Sequence, residues 1–296
     1  MSPNISTSTA VDLIAEQFPE FSYLDIKAAE LSGHDNRSFR LGKNMLIRLP
    51  SAEAYALKVA QEQKHLPILS KYLSSSIPTP IKLGKPSKNY PWNWSIYQWI
   101  EGTSLNIAPQ KNLNLERIAL DLANFINELH TINLNDISTM SNLLSGKHNF
   151  FRGSHPSVYD LETRSAIQSL KGFIDSDKAT AIWERALESK WSKAPVWVHG
   201  DIASGNILIK EQKITAIIDF GSMGLGDPAC DLVMAWTFFH NASKSTFIKH
   251  VKADNDTWSR AKGWALWKAL ITIAPLKDKT CLEAIKNKQI IDKILN

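Results

Sequence analysis

Between Val196 and Gly221 three short runs, apolar apart from Thr215, alternate with polar loop residues, and this stretch restricts the fold more than any other. Val196-Trp197-Val198 reads as a strand, and residues 206–209 and 214–218 read as two more. The latter two are joined by the polar Lys210-Glu211-Gln212-Lys213, which predicts a hairpin. A hairpin there sets Asn206, at its start, beside Asp219, at its end. His199-Gly200-Asp201 fills the tight connection before it, and Phe220-Gly221 follows it. The six positions His199, Asp201, Asn206, Asp219, Phe220 and Gly221 coincide by chance on the order of 10⁻⁵ per chain, so a loop whose polar groups merely satisfy backbone is the weaker reading.

The rest of the chain organises around this stretch. Asp12 to Phe18 reads as a short amphipathic helix. Residues 38–41 and 45–49 read as strands around a Gly42-Lys43-Asn44 turn. Pro50 ends the second strand, Ser51 is placed to cap a helix from Ala52 to about Leu66, and Pro67 kinks or ends that helix. Pro78 and Pro80 mark a loop, and Trp94 to Ile100 reads as another strand closed by Glu101-Gly102. Beyond Gly102 the pattern turns helical: Ile118, Leu122, Phe125, Ile126 and Leu129 fall on one face of a helix near 115–131. Residues 145–195 mix helix and loop without a sharp pattern, Asp227-Pro228 has the order of a helix start, and Trp258 to Ile273 is a further apolar helix. The expected architecture is α+β, a small mixed N-terminal lobe at 1–101 and a larger, mostly helical lobe at 102–296.

The polar residues of the hairpin region suit phosphoryl transfer, which asks a protein for positioning, Mg²⁺ and one acceptor-orienting carboxylate. Asp201 is the candidate catalytic residue, able to accept the proton of an attacking hydroxyl. Asn206 and Asp219 offer Mg²⁺ the hard oxygen ligands it prefers. His199 reads as a hydrogen-bonding brace of the loop, and Asp231, one turn after the Asp227 cap position, as a brace from below. A second cluster lies upstream. Val59, Glu62 and Leu66 are spaced three and four apart, so Glu62 falls on the apolar stripe of its helix. A carboxylate facing a core needs a cation, and Arg48 on the preceding strand is the natural partner, with Ile47 and Leu49 pointing to the other face. A structural ion pair without nucleotide contact is the competing reading.

HGDIASGNIL at 199–208, IIDFG at 217–221 and GDPACDL at 226–232 resemble the catalytic, metal-binding and following segments of the aminoglycoside phosphotransferase family, relatives of choline kinase and, more distantly, of protein kinases. The resemblance covers most of the chain. It implies a two-lobed protein-kinase-like fold with ATP or GTP between the lobes. It implies that Arg48 and Glu62 are the nucleotide-clamping pair, with Arg48 where the family usually has Lys. It implies a phosphate loop at Gly33 to Phe39, in which Asn36 and Ser38 bond phosphate oxygens or else serve a turn. It also implies that Gln98, Trp99 and Ile100 form the adenine-facing hinge, and that the region after His130 builds the acceptor site, where Asp160 and Glu162 are the available acids.

Composition bounds the partners. Net charge is +5, and residues 241–296 carry 11 Lys/Arg against 5 Asp/Glu. Those cations are spaced singly, as on a solvated helix face, and no nucleic-acid-binding motif accompanies them. No apolar run approaches the length of a spanning helix, Cys230 and Cys281 form no CxxC pair, and a cytoplasmic small-molecule enzyme is expected. A polycationic aminoglycoside needs more acids around its pocket than Asp160 and Glu162, so a macrolide, or a neutral or zwitterionic metabolite such as a sugar or amino alcohol, fits as well. A non-catalytic nucleotide-binding regulator is the alternative from another class. A protein kinase is disfavoured, because no Arg stands between His199 and Asp201 and no A-P-E pattern follows Asp219. Trp236, Trp264 and Trp267 read as core before they read as a stacking platform.

Overall fold

The computed structural model describes residues 5–29, 35–109, 111, 113–134 and 143–296. The chain forms two compact units. One comprises Met1–Thr103 with Leu208–Lys210 and Thr215–Gly221, and the other comprises the remainder.

The first unit is an antiparallel sheet with one helix on each face. Helix α1 (Thr7–Gln17) starts earlier than its apolar pattern predicts. Ser6 accepts the Thr9 N–H in a capping box, and this cap recruits Thr7-Ser8-Thr9, residues of modest helix propensity, into the first turn. Strands β1 (Ile26–Ala28), β2 (Asn36–Leu41) and β3 (Met45–Pro50) follow, then α2 (Glu53–Leu69), β4 (Pro80–Gly84) and β5 (Trp94–Gln98). The sheet order is β1-β2-β3-β5-β4. Pro80, expected in a loop, opens β4, which is an edge strand; at the first residue of an edge strand the missing N–H costs no ladder bond. Ser51 does not cap α2. Its hydroxyl donates to the Asp35 carbonyl, and Ala52 takes the cap position without a side-chain bond. Pro67 does not end the helix either, which runs on to Leu69; so close to the C-terminus only one late helical bond is forfeited.

Alternation along the strands divides the sheet. Phe39, Leu41, Ile47, Leu49, Trp94 and Ile96 pack with Ala10, Leu13 and Ile14 of α1 into one core cluster. The opposite face carries Ser38 and Arg48, cross-strand partners, with Ser95 opposite Arg48 and Tyr97 two residues on, all under α2.

The second unit is mostly helical. After the two-residue β6 (Thr103–Ser104) come α3 (Leu115–Thr131), α4 (Asp160–Ser169) and α5 (Ser176–Glu188). Strand β7 (Val196–Val198) leads to β8 (Ile207–Lys210) and β9 (Lys213–Ile217), most of whose residues count with the first unit, then β10 (Gly224–Gly226), which pairs antiparallel with β7. Helices α6 (Met234–Thr237), α7 (Asn241–His250), α8 (Asn255–Ile273) and α9 (Leu282–Leu295) complete it. Glu211 and Gln212 take φ of 52° and 62°, the left-handed pair of a tight two-residue hairpin turn between β8 and β9. Asn206 lies one residue before β8, in a 3-10 turn, rather than inside the strand. Asp227-Pro228 opens a 3-10 turn, not an α-helix, and Asp227 caps it by accepting the Ala229 N–H at 3.0 Å. Trp264 and Trp267 of α8 are 2% and 4% exposed and Trp236 is 6% exposed, so all three are core. Among the described residues no helix is long and apolar enough to cross a membrane.

Candidate active site

The catalytic-loop candidates belong to the second unit. Gly200 has φ of 81°, and a Cβ on it would sit 2.3 Å from the Ser222 carbonyl oxygen, so the turn after β7 requires glycine. Asp231, fully buried, holds the turn from beneath: its Oδ2 accepts the His199 N–H at 2.8 Å and its Oδ1 accepts the Gly200 N–H at 2.7 Å. His130 on α3 reaches the same carboxylate through Nε2 at 3.3 Å. Burial works to raise the Asp231 carboxyl. The His130 hydrogen bond, the histidine charges and the Gly200 N–H outweigh it and hold the group below the usual carboxylate range. His199 is buried, and its Nδ1 accepts the Asp201 N–H at 3.2 Å, closing the loop on itself.

Asp201, by contrast, is exposed. The Asn206 amide nitrogen donates to the Asp201 backbone carbonyl at 2.9 Å and to its Oδ2 at 3.2 Å. Both amide hydrogens are thereby used, and the Asn206 carbonyl oxygen is left as the atom that can face a cation. The Ser104 hydroxyl, at β6, donates to the Gly205 carbonyl at 2.8 Å and fixes the far side of this loop.

The clamp candidates belong to the first unit. Arg48 Nη1 lies 3.7 Å from Glu62 Oε1 and Arg48 Nη2 lies 3.2 Å from Asp219 Oδ1. Glu62 is 6% exposed, as its place on an apolar stripe predicts. The Tyr97 hydroxyl donates to Glu62 Oε2, a partner that the sequence did not single out. Burial opposes the charge on Arg48, but Glu62 and Asp219 outweigh it and raise its pKa, so the guanidinium stays charged. Burial pushes the Glu62 carboxyl upward against the pull of Arg48 and Tyr97. Asp219 has φ of 67°, a left-handed backbone that Asp tolerates and that is common at functional turns.

Lys58 also escaped the sequence reading, although it sits one turn before Glu62 and so shares its helix face. Its Nζ is 3.4 Å from Asp35 Oδ2, and its Cδ would lie 3.2 Å from a Cβ on Gly221. Asn36 and Ser38 lie on β2 on the Arg48 face of the sheet. Gly33 and His34 of the predicted phosphate loop lie outside the described residues. In the hinge candidate, Gln98 N–H donates to Thr79 and Trp99 N–H donates to Asn44, so neither is available to a base. The Ile100 N–H makes no hydrogen bond among the described residues.

The two acids expected at the acceptor site each accept a tryptophan N–H through one carboxylate oxygen. Asp160 Oδ1 accepts from Trp183 Nε1 at 2.7 Å and from Arg164 Nε at 2.8 Å, and Glu162 Oε2 accepts from Trp267 Nε1 at 2.8 Å. Asp227, besides its cap, forms a buried pair with Arg260 of α8 at 2.6 Å, a structural tie that periodicity alone does not reveal.

Residues 26–264 match the sequence profile of the phosphotransferase enzyme family. The GDP complex of wild-type aminoglycoside 2'-phosphotransferase-IIIa superposes with a TM-score of 0.72 at 16% identity, covering 98% of this chain and 99% of that one. A type I macrolide 2'-phosphotransferase gives 0.63 at 18% identity, covering 97% and 98% of the two chains. A macrolide 2'-phosphotransferase from Brachybacterium faecium gives 0.60 at 17%, covering 89% and 88%. No curated protein sequence matches the chain. The fold is the two-lobed, protein-kinase-like α+β fold of these neighbours, and with the family profile spanning its catalytic-loop, clamp and hinge candidates, the chain belongs to the phosphotransferase enzyme family.

Proposed function

We propose that this protein moves the γ-phosphate of ATP or GTP to a hydroxyl of a small molecule, an aminoglycoside or another antibiotic being one acceptor class. The observation that carries the reading is the arrangement of Asp201: an exposed carboxylate on a loop whose backbone is pinned by the buried Asp231 and whose orientation is set by Asn206. A general base that must meet a mobile acceptor needs this combination of access and fixed direction. In the proposed step the acceptor oxygen bonds the γ-phosphorus as the bond to the β-phosphate oxygen breaks. The nucleoside diphosphate leaves, and the hydroxyl proton passes to Asp201 and from there to water.

The residues present suit Mg²⁺ in kind, since Asn206 keeps a carbonyl oxygen and Asp219 offers a carboxylate, both hard ligands. Mg²⁺ so held would neutralise charge on the phosphates. Arg48, oriented by Glu62 and Tyr97, and Lys58 beside Asp35 supply fixed positive charge for phosphate oxygens, with Asn36 and Ser38 on the same sheet face as Arg48. The Ile100 N–H is the hinge donor open to a base, and Gln98 and Trp99 set its position through their bonds to Thr79 and Asn44. In this reading residues 1–101 clamp the nucleotide, and 102–296 carry the catalytic loop and the acceptor site. Two free thiols, Cys230 and Cys281, favour a cytoplasmic setting.

The test is Asp201→Asn. Transfer, or Mg²⁺-dependent nucleotide hydrolysis in the absence of acceptor, should be lost while calorimetry shows nucleotide still bound; full activity in this variant would sink the assignment. The Arg48–Asp219 bond keeps one rival alive, a non-catalytic nucleotide-binding regulator in which Arg48 occupies the metal ligand. That rival expects no Asp201-dependent hydrolysis at all.

A further inference from the structure

Arg152 is a cation of the second unit that the proposed mechanism does not use. Its backbone is anchored: the Ser145 hydroxyl and, at 2.9 Å, the Asn149 amide both donate to its carbonyl. The two residues before it, Phe150 and Phe151, hold left-handed backbones that set the turn. Its stem packs on the catalytic loop, since a Cβ on Gly200 would lie 2.8 Å from Arg152 Cβ and 3.1 Å from Cγ. Its guanidinium lies over the rings of Trp267 and Trp264, 5.0 and 5.4 Å from their centroids. Tyr159 stacks on Trp267 at 4.1 Å and stiffens that bed.

What Arg152 lacks is an anion. The residue is half-buried and its Nε is fully buried without a hydrogen-bond partner. Among the described residues it forms no ion pair with a carboxylate, and Glu162, which shares Trp267 with it, accepts the Trp267 Nε1–H. Aromatic faces attract a cation but accept no guanidinium hydrogen bond in the ring plane. The buried Nε–H is thus without an acceptor, which is unusual for a buried donor, and the half-buried side chain leaves the Nη edge of the fork within reach of a ligand. Here it is fixed against the residue that immediately precedes Asp201.

We infer that Arg152 is an acceptor-recognition cation, and that the acceptor is a small hydroxyl compound carrying a carboxylate. This rests on the reading of Asp201 as the carboxylate that orients the acceptor hydroxyl. A carboxylate matches the planar fork of the guanidinium in a bidentate pair, whereas a polycation would be repelled at the same place. Arg152 thus selects against aminoglycosides and for hydroxy acids.

The test uses matched probes that differ at one end: D-gluconate, D-glucitol and D-glucamine, and likewise D-glycerate, glycerol and 3-amino-1,2-propanediol. Binding is measured by calorimetry on the full chain with Mg²⁺ and a non-hydrolysable ATP or GTP analogue present. At least one acid should bind about tenfold or more tighter than its neutral and amine counterparts, the scale of a charge-assisted hydrogen bond. Arg152→Met should erase that preference, and Arg152→Lys should restore part of it, which separates recognition from loss of fold. The inference is overturned if no acid outbinds its counterparts, or if Arg152→Met leaves the preference intact. Phosphoryl transfer to the same probes distinguishes the two readings. Acids bound through Arg152 without any Asp201-dependent transfer would sink the phosphotransfer reading alone. Asp201-dependent transfer favouring the amines would sink this one alone.

Discussion

Removing the brace under the 199–206 loop should cost more stability than removing Asp201, the carboxylate proposed to be catalytic. Asp231 is 0% exposed and each of its oxygens accepts one backbone N–H, from His199 at 2.8 Å and from Gly200 at 2.7 Å. Hydrogen bonds to a charged group contribute about 1.5–3 kcal/mol each, and a buried donor left unpaired costs about 1–3 kcal/mol. Asp231→Ala orphans both N–H groups, so the expected loss is about 3–5 kcal/mol, a large part of a typical domain's stability. Asp231→Asn keeps one acceptor oxygen and turns an NH₂ toward the other N–H, so about 2–3 kcal/mol is expected. The pH dependence follows from the lowered Asp231 pKa. The contribution is fully present above the unfolded value of 3.8 and is lost as pH falls through the lower folded value. Urea unfolding followed by tryptophan fluorescence, with hydrogen exchange at His199 and Gly200, measures the loss and its location. If both variants unfold within about 1 kcal/mol of wild type and retain slow exchange at both amides, Asp231 is not the support argued here.

Other consequences are equally direct. Arg48→Met should destabilise the first unit by about 3–5 kcal/mol, because Glu62 is left buried without its cation, and Arg48→Lys should recover much of this in thermal denaturation. Lys58→Met should weaken nucleotide binding in calorimetry about tenfold, while leaving the melting temperature near wild type; unchanged affinity would reduce Lys58 to a partner of Asp35. Gly200→Ala meets both a left-handed φ and the Ser222 carbonyl, so a loss above about 2 kcal/mol is expected in urea unfolding. Burial, helped by Lys64, lowers the His65 pKa to about 4 from 6.5. The stability tied to its neutral form is therefore complete above pH 6.5 and falls away as pH drops through about 4, which a shallower acid dependence in His65→Asn would verify.

The elements that periodicity defines cleanly were legible in advance. The helix at 115–131 and the strands around Gly42 match the structure closely, because an amphipathic face or a turn glycine is a local property. The boundaries that moved did so for reasons a pattern does not carry. The capping box at Ser6 lengthened α1, and an edge position admitted Pro80 to a strand. Glu62 was legible as a buried acid from its place between Val59 and Leu66. Tyr97, which shares it, was not, because their meeting depends on α2 lying across β5.

By itself the sequence singled out Asp201, Asn206 and Asp219 as candidates, with His199 as a brace of their loop, since their spacing follows from a turn and a hairpin only a few residues long. The tertiary structure alone decided which charged groups meet. Asp231 and His130 converge on the loop from separate elements, and Asp160 and Glu162 are drawn to tryptophan N–H groups. Arg152 is left on an aromatic bed without an anion. Ion pairs and hydrogen bonds act over a few ångströms in space and carry no period along the chain. Which carboxylate is a brace and which cation is left for a substrate emerges only once the helices have packed.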